Sequence, residues 1–112
     1  MTFPEGIEDI KTGIGPGWHP IIERLMNDLL KLGWDGRVLQ VKEKFGGLRF
    51  YIEQTADALH DRINMAAEES FRTCEACGKP GSPRGKGWIK TLCNEHASGR
   101  PPVDFENLWG VR

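Results

Sequence analysis

All three cysteines of this 112-residue chain lie in one stretch, and a histidine closes it. The pattern is Cys74-x2-Cys77-x15-Cys93-x2-His96. Two residues between the members of each pair let the backbone curl around a single ion, and Gly78 permits the tight turn after the first pair. Three thiolates and one neutral imidazole complete a tetrahedron and leave no position for a reactive water, so the expected site is structural rather than catalytic. Zn2+ is the expected ion, and three thiolates give the centre a net charge of about −1. Unrelated buried cysteines would not be paired at zinc-like spacing. Disulfides would leave one of the three thiols over, and nothing at the N-terminus reads as a signal peptide, so a reducing cytoplasm is the expected setting.

The elements that must hold this site follow from periodicity. Apolar residues at Trp18, Ile21, Ile22, Leu25, Met26, Leu29, Leu30 and Leu32 predict a helix from Trp18 to Leu32, with Pro20 in its first turn and Gly33 as its stop. Two alternating runs, Val38 to Phe45 and Leu48 to Glu53, flank Gly46-Gly47 and predict a hairpin turning on that pair. In that register Phe45 faces Leu48, Glu43 faces Phe50 and Val41 faces Ile52 on an apolar face, with Lys42, Lys44, Arg49 and Tyr51 opposite. A second helix is predicted from Thr55, as its cap, to Arg72, burying Leu59, Ile63, Ala66, Ala67 and Phe71. It runs almost directly into Cys74. Trp88 to Leu92 reads as a strand leading to the second ligand pair, with Trp88 expected as an aromatic lid over the metal.

The expected fold is therefore α+β: helix, β-hairpin, helix, then a Cys3His zinc-ribbon or treble-clef-like module. Residues 1–72 form the small core, 73–97 the zinc module, and 98–112 a tail whose Val103, Phe105, Leu108 and Trp109 are expected to pack on the domain or on a partner. The lead-in through Gly13, Gly15 and Gly17 breaks any regular pattern, and the piece around Ile7 to Ile10 fits a helical turn or a strand equally well. No apolar run approaches the ~20 residues of a membrane span.

Charge is unevenly placed. Between Arg72 and Arg100 there are six basic residues (Arg72, Lys79, Arg84, Lys86, Lys90, Arg100) and two acidic ones (Glu75, Glu95), a net +4, which leaves −5 for the rest of a chain whose total is −1. Arg84, Lys86 and Lys90, between the ligand pairs, and Lys42, Lys44 and Arg49, on the hairpin, are the candidate partner-binding residues.

The run Val41 to Tyr51, VKEKFGGLRFY, together with the Cys74-to-His96 module and its Gly87-to-Cys93 segment GWIKTLC, resembles a family of small bacterial and phage-borne zinc-binding proteins. The resemblance covers roughly residues 17 to 97 and brings no activity with it. The helix leading into Cys74-x-x-Cys77-Gly78 is also similar, more weakly, to the zinc finger of DksA/TraR-type transcription regulators. Here the fourth ligand is His96 and a hairpin separates the helices, so their polymerase-channel mechanism does not carry over.

The leading functional expectation is a non-enzymatic zinc-binding accessory protein, phage- or prophage-encoded, that acts by binding another protein. Nucleic-acid binding through the basic zinc end and the Lys42, Lys44, Arg49 face ranks second, because specific binders carry a larger basic excess. An enzyme ranks third. A zinc-containing nuclease needs a further histidine and a carboxylate beside the knuckles, and only His19 and His60 remain, neither in such a motif.

Overall fold

The computed structural model describes residues 13–85, 88–97 and 99. Lys86, the residues around Ile7 and the tail from Arg100 onward, about which the sequence raised expectations, lie outside them.

A 3-10 turn at Pro16–Trp18 leads into helix α1 (His19–Lys31). Ile21, Ile22, Leu25, Met26 and Leu29 form its buried stripe, and Pro20 sits in the first turn, where a missing N–H is harmless. The helix stops just before Gly33. Strands β1 (Gln40–Lys44) and β2 (Gly47–Tyr51) make an antiparallel hairpin, and helix α2 (Asp57–Ser70) follows. Leu59, Ile63, Ala66 and Ser70 are the buried face of α2. Thr55 is not its cap: Ala56 holds the N-cap position, with its carbonyl accepting the Leu59 and His60 N–H groups. Strands β3 (Ser82–Arg84) and β4 (Lys90–Leu92) form a second, shorter hairpin, and a 3-10 turn at Asn94–His96 follows it. The α+β order expected from the sequence is what the chain adopts.

One apolar core joins α1, β2 and α2. It includes Trp18, Ile22, Leu25, Met26, Trp34, Leu48, Phe50, Leu59 and Ile63, with Trp34 meeting Phe50 edge-on. Two ion pairs tie the helices together at their surface, Arg62 Nε to Asp28 Oδ2 and Arg24 Nη2 to Glu69 Oε2, both at 2.8 Å. Ser70 is a fully buried hydroxyl that donates to the Ala67 carbonyl and accepts the Leu48 N–H at 2.9 Å, which fastens α2 to β2. Ser70→Ala would strand that buried N–H. We expect it to lower stability by about 1–3 kcal/mol, read as a lower urea midpoint with unchanged slope.

The hairpin register differs from the sequence expectation. Val41 pairs with Phe50, Lys42 with Arg49, Glu43 with Leu48 and Lys44 with Gly47. The turn is therefore Phe45-Gly46, both at positive φ (53° and 82°), one residue earlier than Gly46-Gly47. Because partners shift by two, the faces survive and only Phe45 changes role, leaving the apolar face for the turn. The cause is tertiary. A Cβ on Gly47 would lie 2.3 Å from Cζ of Phe71, so Gly47 is held in the strand as the residue small enough to lie under that ring.

The core and the segment that carries the three cysteines are in intimate contact. Trp18 Nε1 donates to the Thr73 carbonyl at 2.9 Å, Gly17 N–H to Glu75 O at 2.8 Å, and Thr91 Oγ1 to Gly46 O at 2.6 Å. The lead-in segment, featureless in sequence, is the piece that seats the first ligand pair.

Candidate metal centre

Cys74 and Cys77 lie on a tight knuckle between α2 and β3. Cys74 N–H donates to Lys79 O and Gly78 N–H to Cys74 O, both at 2.8 Å, and Gly78 takes φ +84°. Cys93 follows β4 directly, and the 3-10 turn brings His96 back over it, with His96 N–H donating to Cys93 O at 3.1 Å. The second ligand pair on a helical turn after a short hairpin matches the treble-clef-like arrangement among the expected alternatives.

The four ligand atoms lie within 4.8 Å of one another. Cys77 Sγ and Cys93 Sγ are 3.7 Å apart, Cys74 Sγ and His96 Nδ1 3.7 Å, and Cys93 Sγ and His96 Nδ1 3.2 Å. A tetrahedral ion with metal–sulfur bonds near 2.3 Å requires sulfur–sulfur edges of about 3.8 Å. The donor set and its spacing therefore fit a four-coordinate metal, with His96 ligating through Nδ1. Cys74 and Cys93 are buried, while Cys77 and His96 reach the surface.

The surroundings favour ionised sulfur at two positions. Burial opposes ionisation of Cys93, but hydrogen bonds to the His96 side chain and backbone, then to the Cys77 and Cys74 thiols, outweigh it and bring its pKa from 9.0 down to about 6. Burial also opposes ionisation of Cys74, and the backbone of Cys93, Ala76 and Cys77 overcomes it, so that thiol is lowered too. At Cys77 a backbone hydrogen bond with Lys79 favours the thiolate, yet burial and the two neighbouring sulfurs together push it up. The Cys93 thiol raises His96 against burial. Cys93, depressed in the fold, adds stability that is complete above its unfolded pKa and fades as pH falls through about 6. Metal binding needs the same thiolate, so both effects have the same sign. We expect a chromogenic chelator to find the metal retained near neutrality and released on acidification.

Charged residues brace the knuckles. Lys90 Nζ pairs with Glu75 Oε1 at 2.8 Å, and Glu75, a buried carboxylate that the sequence reading passed over, keeps its Oε2 without a hydrogen-bond partner. Arg84 donates from Nε to Leu92 O at 3.0 Å and from Nη2 to Asn94 Oδ1 at 2.8 Å. Two of the candidate partner-binding residues thus have their charged groups engaged within the module. Lys42 and Lys44 lie on the outward side of the hairpin, whereas Arg49 is half-buried, has its Nε shielded from solvent and lines a hollow with His60, Ile63, Asn64 and Ala67 of α2.

Trp88 is not the lid. It is 69% exposed and lines an open hollow of about 420 Å³ with Glu43, Lys44, Phe45 and Ile89, at the tip of the first hairpin. The Gly15–Trp18 segment packs instead against the backbone of Thr73 to Glu75. His19 and His60 use a ring nitrogen on the Ile14 and Gln54 carbonyls, at 2.9 and 2.7 Å, and neither joins the cluster.

Fold and site together define a small α+β protein with a Cys3His cluster that could hold a metal ion. No family model, curated protein or solved structure matches the chain at a significant level.

Proposed function

We propose that the centre holds one structural Zn2+ and that the protein is a non-enzymatic accessory module, of the bacterial or phage-borne kind its sequence resembles, that acts by binding another protein in the cytoplasm. The observation that carries this reading is the donor set: four protein donor atoms within 4.8 Å of one another would fill every position of a four-coordinate zinc ion and leave none for substrate. A metal placed this way fixes surfaces rather than reacting. Among the described residues no helix is long and apolar enough to cross a membrane, and large apolar side chains stand exposed at Phe45, Tyr51 and Trp88. Aromatic residues of this kind are the common anchors of protein interfaces. The nucleic-acid reading loses support at the zinc end, where Arg84 and Lys90 are held by Leu92, Asn94 and Glu75.

The test is a cross-linked pull-down with the zinc-loaded protein, run with and without nuclease, beside metal analysis of the bait. One zinc per chain and a nuclease-resistant protein partner are expected. A partner set that disappears with nuclease would move the assignment to nucleic acid.

A further inference from the structure

Three features of the first hairpin work against its own stability, and they lie at its tip and on its outward face. Phe45 has φ +53°, a conformation that bulky L residues avoid, and its ring is 47% exposed, so burial does not compensate. Lys42 stands directly opposite Arg49, and like charges in register weaken strand pairing. Arg49 Nε is shielded from solvent and has no acceptor. Glu43, the one acid of the two strands, lies on the other face and turns its Oε2 to the Gly46 N–H at 3.2 Å. The outward face therefore presents two ammonium groups over a half-buried guanidinium, with no strand carboxylate on that face to answer them. Where local choices conflict with the fold in this way, function is the usual reason.

We propose that this face, Lys42, Lys44 and Arg49, with Phe45 and Trp88 at its tip, docks an acidic segment of a protein partner that carries one large apolar side chain. The proposal rests on the protein-binding reading above and names the surface and the chemistry. The hollow lined by Glu43, Lys44, Phe45, Trp88 and Ile89 receives the apolar side chain, with the Glu43 carboxylate turned to the Gly46 N–H at its edge. Carboxylates beside it in the segment meet the two ammonium groups, with the half-buried Arg49 adding positive charge behind them. Nucleic acid fits less well. Lys42 Nζ lies 5.9 Å from the centre of the Tyr51 ring and Lys44 Nζ 5.7 Å from that of Phe45, so ammonium groups already sit over ring faces on which bases would stack.

The experiment selects from a random phage-displayed library of about twelve-residue peptides on the zinc-loaded full chain, then measures the winners by anisotropy on Phe45→Gly and on Lys42→Gln/Arg49→Gln. Single-stranded oligothymidine is titrated alongside. We expect enriched peptides to combine Asp or Glu with a large apolar residue, and both variants to bind them at least roughly tenfold more weakly. Both variants should keep or raise Tm, Phe45→Gly by roughly 4 °C or more, because each relieves a conflict; a merely structural role predicts the reverse. Enriched peptides that both variants bind normally would overturn this surface while leaving a protein-binding module. No enrichment would overturn the surface as well, and if oligothymidine then bound tightly and salt-dependently, the protein-binding reading would fall with it.

Discussion

Cys74→Ser is expected to abolish metal binding and to leave the chain without a cooperative thermal transition. The substitution keeps the size of the side chain but replaces a soft thiolate with a neutral hydroxyl, which is a poor zinc ligand. Cys74 is fully buried and its peptide groups anchor the knuckle through Lys79 O and Gly78 N–H, so no neighbouring residue can shift in to replace it. Structural zinc contributes on the order of 10–16 kcal/mol in isolated fingers at neutral pH, more than the 5–15 kcal/mol of net stability of an ordinary domain. The loss would not stay local, because Thr73, Glu75 and Thr91 bond directly to Trp18, Gly17 and Gly46 of the core. Metal analysis and far-UV circular dichroism melts, with and without a strong chelator, are the measurements. Lys79→Ala is the control, since the exposed Lys79–Glu95 pair at 3.3 Å should matter little. A Cys74→Ser protein that retained one equivalent of metal and melted normally would remove the Cys3His centre from consideration. Cobalt substitution adds a spectroscopic check, since a tetrahedral three-sulfur site gives intense visible bands that Cys74→Ser should eliminate.

The clustering of Cys74, Cys77, Cys93 and His96 was legible in the sequence because such spacing is local: a knuckle is closed by residues three apart, whatever surrounds it. Both helices were legible for a similar reason, their buried stripes recurring within a few residues. The hairpin faces were legible from alternation, but the turn was not. Gly46 and Gly47 serve a turn equally well as residue types, and the choice between Phe45-Gly46 and Gly46-Gly47 is made by Phe71, which needs the space above Gly47. Nothing within the hairpin carries that information. The charges at the zinc end show the same limit. Composition counts Arg84 and Lys90 as available, whereas the fold brings a buried Glu75 to one and the Leu92 carbonyl to the other. Trp88 reads as a lid by its nearness to Cys93 in the chain, yet the path of the strand carries it to the hairpin tip. Contacts between distant segments decided each of these cases, and the glycine-rich lead-in is the extreme one, since its whole role is a long-range contact.

Gly17→Ala should therefore be among the most damaging small substitutions in the protein. A Cβ at this position would fall 2.0 Å from Cys74 O, 2.6 Å from Gly78 N and 2.7 Å from the Glu75 carbonyl carbon. All three are backbone atoms of the first knuckle, so no side-chain rotation relieves the clash. Either the 3-10 turn lifts off, breaking the Gly17 N–H bond to Glu75 O and exposing Trp18, or the knuckle deforms and loosens Cys74 and Cys77. Overpacking of about 1–3 kcal/mol adds to a lost buried hydrogen bond of about 1–3 kcal/mol. At roughly 4–8 °C per kcal/mol for a domain near this size, Tm should fall by roughly 10–50 °C. Metal affinity should fall with it, because the deformed peptides are those that close the first ligand pair. Gly33→Ala is the comparison: its φ of +98° makes alanine strained, but nothing lies within 4 Å, so only a backbone term of about 1 kcal/mol is expected and metal binding should not change. If Gly17→Ala melted like Gly33→Ala and held zinc as tightly as the unmodified chain, the lead-in would not be seated on the knuckle, and the coupling of core to metal centre would have to run through Thr91 and Gly46 alone.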